Sequence, residues 1–287
     1  MRLPLVVGVD GSDSSLLAVD WAADEAALHG LPLRLVYASL WERYDDRSVP
    51  SADQPDDGDA VVARAGERAR RRAPAVPVEG AVLADDPVDV LLHEGHNATA
   101  LVTGCRGRGG LQGLLLGSVG LAVAGRATGP VIVVRGSAAG VAGTRGRVVL
   151  GVGEPGTSGT ASRFAVREAA ARKCPLDAVR AWRRPAHQPA AHPLRTGSTG
   201  LPYAEEATAL IDTLLAEPTA EHPEVRVHRC VLEGPARQAL LQRSATADLL
   251  VVGVSRRRGG GGLQLGRVAH TVLHHADCPV AVVPDFP

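Results

Sequence analysis

Residues 5–9 form an unbroken apolar run. An acidic turn follows, and then apolar positions Leu16, Val19, Ala23 and Ala26 recur at steps of three and four. A run without polar alternation marks a strand buried on both faces of a parallel sheet, and steps of three and four mark one face of a helix. Ser12, Asp13 and Ser14 offer N-caps for that helix, and Gly30 and Pro32 stop it. The alternation continues with a strand over 33–38, a polar stretch over 42–59, an alanine- and arginine-rich helix over 60–72 and a strand near 78–83. A helix opening at Pro87, a strand at 100–104, a helix from Ser118 and a strand at 130–134 complete the series. Strands separated by helices predict right-handed crossovers and a parallel sheet with helices on both faces.

The pattern is written twice. Residues 5–41 align with 148–182, and residues 101–134 align with 250–283 at a constant offset of 149 over all 34 positions. Register of that length predicts two repeats of one unit: a first domain over 1–135 and a second over 147–287. The segment 136–146 between them is small-residue-rich and reads as a flexible linker. Residues 183–202, with four prolines and two histidines, read as an exposed loop.

A chain of 287 residues is long enough for two such domains. Its 31 basic and 31 acidic residues balance, which argues against nucleic acid or an anionic membrane as partner. The amino-terminal stretch lacks the features of a signal peptide, and no stretch approaches the ~20 apolar residues of a membrane span, so a cytoplasmic location is expected. The four cysteines form no CxxC pair and read as incidental thiols. Lys173 is the only lysine, which removes the P-loop and much lysine-dependent chemistry.

Candidate chemistry concentrates in "GCRGRGGLQGLLLGS", residues 104–118, where six of fifteen residues are glycine. It joins a strand to a helix, and in open parallel sheets ligands bind beyond the carboxyl ends of the strands. Glycines there let backbone N–H groups approach phosphate oxygens, and the helix start adds partial positive charge. Ser118 adds a hydroxyl donor. A dinucleotide fingerprint does not fit, because GxGxxG begun at Gly107 meets Gln112 at its last position.

The spacing G-x2-G-x9-G-S, at Gly104, Gly107, Gly117 and Ser118, together with "VVGVDGS" at the first strand, resembles the universal stress protein family. The repeat makes the chain similar to its tandem members. The resemblance implies two tandem Rossmann-like, adenine-nucleotide-binding α/β domains, each an open five-stranded parallel sheet with helices on both faces. It also implies ATP binding in members that carry this motif, and a nucleotide-dependent regulatory role in stress or dormancy. Carried over by position, Asp10 faces the ribose and a Mg2+ ion held with the phosphates. Val9 and Val36 line an adenine slot. Gly104 and Gly107 lie along ribose and phosphates, and Gly117, Ser118 and Val119 hold the β- and γ-phosphates. Arg106 is placed either on phosphate or in solvent, and Cys105 packs or points away.

The second repeat departs from the motif. Gly153 aligns with Asp10, Arg256 with Gly107 and Arg267 with Ser118, while Gly253 and Gly266 remain. A cation at a helix start is disfavoured by a few tenths to ~1 kcal/mol, so a degenerate second site is expected. The alternative is an anion held by arginine side chains. The family resemblance also implies pairing of the last strands of the two domains, whereas a homodimer and the protein partner stay open.

Catalytic residues are not assigned: beside the phosphate cradle stands one carboxylate and no evident base. A slow ATPase, a phosphoryl or adenylyl transferase, and a non-binding pairing module remain the alternatives. His270, His274 and His275 on the last helix read as a polar helix face rather than a metal site, and the arginines at 68–72 as a solvated face.

Overall fold

The computed structural model describes residues 2–39, 58–107, 116–154, 156, 158–183, 201–255 and 265–285. Arg256, most of the polar stretch at 42–59 and most of the proline-rich segment at 183–202 lie outside these residues. The first half runs β1 (Leu5–Gly8), α1 (Asp13–His29), β2 (Leu33–Ala38), α2 (Gly58–Arg72), β3 (Val78–Leu83), α3 (Pro87–Gly95), β4 (Ala100–Gly104), α4 (Ser118–Arg126) and β5 (Val131–Val134). A short helix α5 (Ala138–Val141) leads into the second half. There follow β6 (Val148–Gly151), α6 (Gly159–Ala171), β7 (Leu176–Trp182), α7 (Leu201–Glu221), β8 (Val227–Glu233), α8 (Ala236–Ser244), β9 (Leu249–Ser255), α9 (Arg267–His275) and β10 (Val280–Asp285).

Local chemistry explains the boundaries. Ser12 caps α1 by accepting from the Ser15 N–H, and Gly30 ends it in the left-handed region at φ 61°. Lys173 takes the same backbone conformation at the matching place in the second half, φ 52°. Asp86 caps α3, with Pro87 in its first turn. The helix expected from residue 60 starts at Gly58, whose missing Cβ admits the Tyr37 ring; a Cβ there would lie 2.8 Å from it.

All strands join one ten-stranded sheet in the order β3-β2-β1-β4-β5-β10-β9-β6-β7-β8. Each half is parallel within itself. The halves meet where β5 and β10 pair antiparallel, Val131 opposite Val282 and Val133 opposite Val280. One apolar layer packs α1, α2, α6 and α7 on one face of the sheet, and a second packs α3, α4, α8 and α9 on the other. Burial on both faces accounts for the continuous apolar strands.

Two expectations need correction. The segment 136–146 is folded rather than a free tether. It carries α5, and a Cβ on Gly136 (φ 103°) or Gly140 would come within 2.4 Å of Asp277 backbone atoms. Arg145 fixes it, bonding the carbonyls of Ser244 (2.8 Å), Ala247 (3.3 Å) and Asp277 (3.1 Å), Ser137 Oγ (2.6 Å) and Asp277 Oδ2 (2.9 Å). The arginine run of α2 is not simply solvated either. Arg68 and Arg72 form two-pronged bonds to Asp20 and Asp24 of α1, at 2.6–2.8 Å. Helix packing supplied partners that a linear reading could not.

A charge exchange between the halves shows how closely they are matched. In the first half Arg34 on β2 bonds Glu94 of α3 (2.6 Å) and faces Glu79 of β3 (3.9 Å). At the equivalent positions of the second half, Asp177 bonds Arg243 (3.0 Å) and His228 (3.0 Å), and Arg147 joins at 2.6 Å. Burial opposes ionisation of Asp177, yet these partners hold its pKa below the usual carboxylate value.

Candidate functional site

Within the first half the strand order reverses between β1 and β4, and the crevice such a reversal creates lies at their carboxyl ends. Val9 leaves β1 with its N–H bonded to the Val36 carbonyl at 2.9 Å, and both side chains are buried. Asp10 begins the turn. Its Oδ1 accepts from the Ser12 N–H (2.9 Å) and Ser12 Oγ (2.6 Å), which fixes the carboxylate at the start of α1.

The β4 loop is stitched to the same turn. A Cβ on Gly104 would lie 2.6 Å from the Ser14 carbonyl oxygen, so only glycine fits this close approach. The Arg106 N–H donates to Ser14 Oγ at 3.1 Å, and Ser14 Oγ lies 3.5 Å from Cys105 Sγ. Cys105 therefore packs beside the α1 start, one of the two placements expected. The Arg106 and Gly107 residues are exposed. A Cβ on Gly107 would come within 2.7 Å of Asp10 Oδ2.

Gly117 closes the ring. Its N–H returns to the Cys105 carbonyl at 2.8 Å, and it caps α4 with no side chain. Among the described residues a Cβ there would meet nothing nearer than 3.8 Å, the closest atoms being Arg106 Cα, the Cys105 carbonyl oxygen and Gly107 N. Asp10, Gly107 and Gly117 thus come together at the amino end of α4. The first-turn N–H groups of Ser118, Val119 and Gly120 have no carbonyl one turn back within the helix. Thr103 Oγ1, buried 3.5 Å from where a Gly120 Cβ would stand, has no hydrogen-bond partner among the described residues. Of the nine residues expected to line a nucleotide site, Val9, Asp10, Val36, Gly104, Arg106, Gly107, Gly117, Ser118 and Val119, all lie around this end of β1, β2, β4 and α4. The interior of the glycine segment, 108–115, is outside the described residues.

The equivalent end of the second half is filled differently. Here β9 runs on to Ser255, and its last residues, Val254 and Ser255, pair with Pro284 and Asp285. Their first-half counterparts, Cys105 and Arg106, instead turn away from the sheet after Gly104. Asp285 places its carboxylate on the start of α6, accepting from the Gly159 N–H (2.9 Å) and Thr160 Oγ1 (2.7 Å). Arg180 reaches across the strand ends to the Val152 carbonyl (3.3 Å) and Glu154 (2.7 Å). Arg267 opens α9 after Gly266. Sequence reasoning found Arg267 but missed Asp285 and Arg180, since neither falls in a motif; in the structure β9 runs two residues further than β4.

Among the described residues, the only group of three side chains placed to share a metal ion is Glu25, His29 and Glu168, on the last part of α1 and on α6. His270 and His274 stack at 4.4 Å between ring centroids. Burial first, then the charges of His270, His275 and Arg135, lower the His274 pKa. Cys105, Cys174, Cys230 and Cys278 are free thiols.

An open parallel sheet repeated in tandem, with a glycine-bordered crevice at the β1/β4 reversal, defines a Rossmann-like α/β protein. The family model for the universal stress protein family matches residues 1–135 and 144–284, and the chain belongs to that family. A universal stress protein of Mycobacterium tuberculosis is 33% identical over 291 aligned residues, covering 97% of this chain and 96% of the relative. The crystal structure of a universal stress protein from Archaeoglobus fulgidus shares the fold, with a TM-score of 0.73 at 16% identity and 98% coverage of both chains. A shorter universal stress protein, solved in complex with cAMP, is 32% identical, covers 47% of this chain and 98% of its own, and has a TM-score of 0.37.

Proposed function

We propose that the first half, as a domain over 1–135, binds ATP with Mg2+ and that occupancy regulates the protein in stress or dormancy physiology. The observation that carries this reading is the approach of Gly107 to Gly117 at the start of α4, with the Asp10 carboxylate held beside Gly107. Main-chain N–H groups there suit a polyphosphate, and the helix start favours its charge. The Asp10 carboxylate beside Gly107 is the proposed contact to a phosphate-bound Mg2+. Val9 and Val36 offer the apolar end for a base. Arg106, exposed at the loop, has the reach to add a charge-assisted bond.

The second half, as a domain over 147–287 joined through 136–146, is proposed to carry no nucleotide. Asp285 supplies α6 with its own anion, and Arg267 opposes the dipole at α9. No helix among the described residues is long and apolar enough to cross a membrane, and a cytoplasmic regulator is the proposed setting. Calorimetry on the full chain is expected to show saturable heat with ATP and Mg2+, with the nucleotide recovered intact after hours. An absence of heat at millimolar ATP overturns the binding, and stoichiometric phosphate release lost in Asp10→Ala overturns the purely regulatory role.

A further inference from the structure

Glu25 and Glu168 hold the same position in the two repeats, and so do His29 and Arg172. On α1 and α6 they meet across the boundary between the halves. His29 Nε2 lies 3.3 Å from Glu25 Oε1 and 3.3 Å from Glu168 Oε2. Arg172 Nη2 stands 2.5 Å from Glu25 Oε2, and Nη1 bonds Glu168 Oε2. Both acids are buried, at 6% and 2% exposure. One carboxylate oxygen of each acid and a ring nitrogen of His29 all lie within 4.8 Å of one another, and two carboxylates buried that close together disfavour ionisation of both, so that one proton held by the pair relieves the repulsion. Arg172 is permanently charged. Arg2 donates to the His29 carbonyl at 3.0 Å, and the Cys174 thiol neighbours Arg172. The apolar layer around α1 and α6 adds Ile132, Val134, Ala281 and Val283 from β5 and β10.

We propose that this quartet is a proton-operated latch between the two halves, closed while Glu25 and Glu168 share one proton and loosened when it leaves. A bound metal is a poorer fit, because Arg172 already engages both carboxylates and would be left facing a dication.

The electrostatics agree in sign. Burial, then the Glu168 charge, raises Glu25 to about 7, from 4.5. Hydrogen bonds to Glu168 and then Glu25 raise His29 to about 9, from 6.5. Burial opposes ionisation of Glu168, yet the His29 bond and the Arg172 charge hold it far below the usual range. The folded chain therefore keeps a proton on Glu25 between pH 4.5 and about 7 that the unfolded chain has lost, so this contribution weakens as pH rises through that window. The His29 contribution is complete below 6.5 and is lost as pH rises toward about 9. Glu168 works the other way, and its contribution disappears only on the acid side of 4.5. Mild acidification closes the latch.

The test compares wild-type chain with Glu25→Gln, whose amide imitates the protonated acid. Hydrogen exchange of α1 and α6 is read in both proteins at the same pH, so intrinsic rates cancel. Protection is expected to match near pH 6 and to be greater in the variant near pH 8.5, and the fall in melting temperature between those values should flatten. In wild-type protein carrying 13C-labelled glutamate, one carboxyl should titrate near neutrality. Identical pH profiles for the two proteins, or no glutamate titrating between pH 6 and 8, overturn the latch. So does a saturable, one-equivalent gain of stability from zinc that Glu25→Gln abolishes, which would make the cluster a metal site.

Discussion

Gly117→Leu is expected to lose nucleotide affinity on the order of 100-fold, about 3 kcal/mol, while the protein stays folded. The backbone of Gly117 is ordinary extended chain at φ −69°, ψ 153°, which any residue adopts. Among the described residues a Cβ there meets no atom nearer than 3.8 Å. The added side chain instead starts into the gap facing Gly107, where the proposed account puts phosphate oxygens. Loss of the glycine cap costs the helix less than about 1 kcal/mol, so the melting temperature should move little. Titration calorimetry with ATP and Mg2+, paired with a melting curve, checks both halves of the claim. Undiminished affinity in a well-folded variant would place any nucleotide elsewhere. Gly104→Ala is not an equivalent experiment, because its Cβ would lie within 2.6 Å of the Ser14 backbone and disturb the fold itself.

Arg145→Ala is expected to cost about 3–5 kcal/mol of stability, the range for removing one partner from a buried charged network. The guanidinium, 15% exposed, bonds three carbonyls, a hydroxyl and the Asp277 carboxylate. Its removal strands those acceptors and frees the segment that carries the chain from β5 to β6. In a protein of this size the melting temperature should fall on the order of 10 °C. Arg145→Lys should recover only part of the loss, since an ammonium cannot reproduce five bonds from a planar fork. A fall under about 2 °C for the alanine variant would show that the connection is held by something else.

Element order, and the gathering of the expected residues at one end of the first-half sheet, were largely legible in the sequence, because both depend on local pattern. Apolar runs at β1 and β4, the Ser12 cap, Gly30 and the glycine spacing before Ser118 act within a few residues of where they are read. The departures share one cause, a partner distant in the chain. Small residues at 136–146 read as flexible until Arg145 finds acceptors up to 132 residues away. Arg68 and Arg72 read as solvated until α1 brings Asp20 and Asp24 within reach, 48 positions back. Asp285 had no motif to announce it, and its role depends on β9 and β10 pairing to their ends. The latch was half visible: the repeat alignment puts Glu25 over Glu168 and His29 over Arg172, but only the antiparallel join of β5 and β10 brings the two helices together.

The account also explains why one glycine segment is altered and the other is not. In the first half, the backbone of Gly107 and Gly117 comes together beside Asp10. In the second, Asp285 bonds the start of α6, and Arg180 bonds the Val152 carbonyl and Glu154. Native mass spectrometry of the gently purified full chain, titrated with ATP and Mg2+, counts the outcome directly. One nucleotide per chain is the predicted result; none, or two, contradicts it.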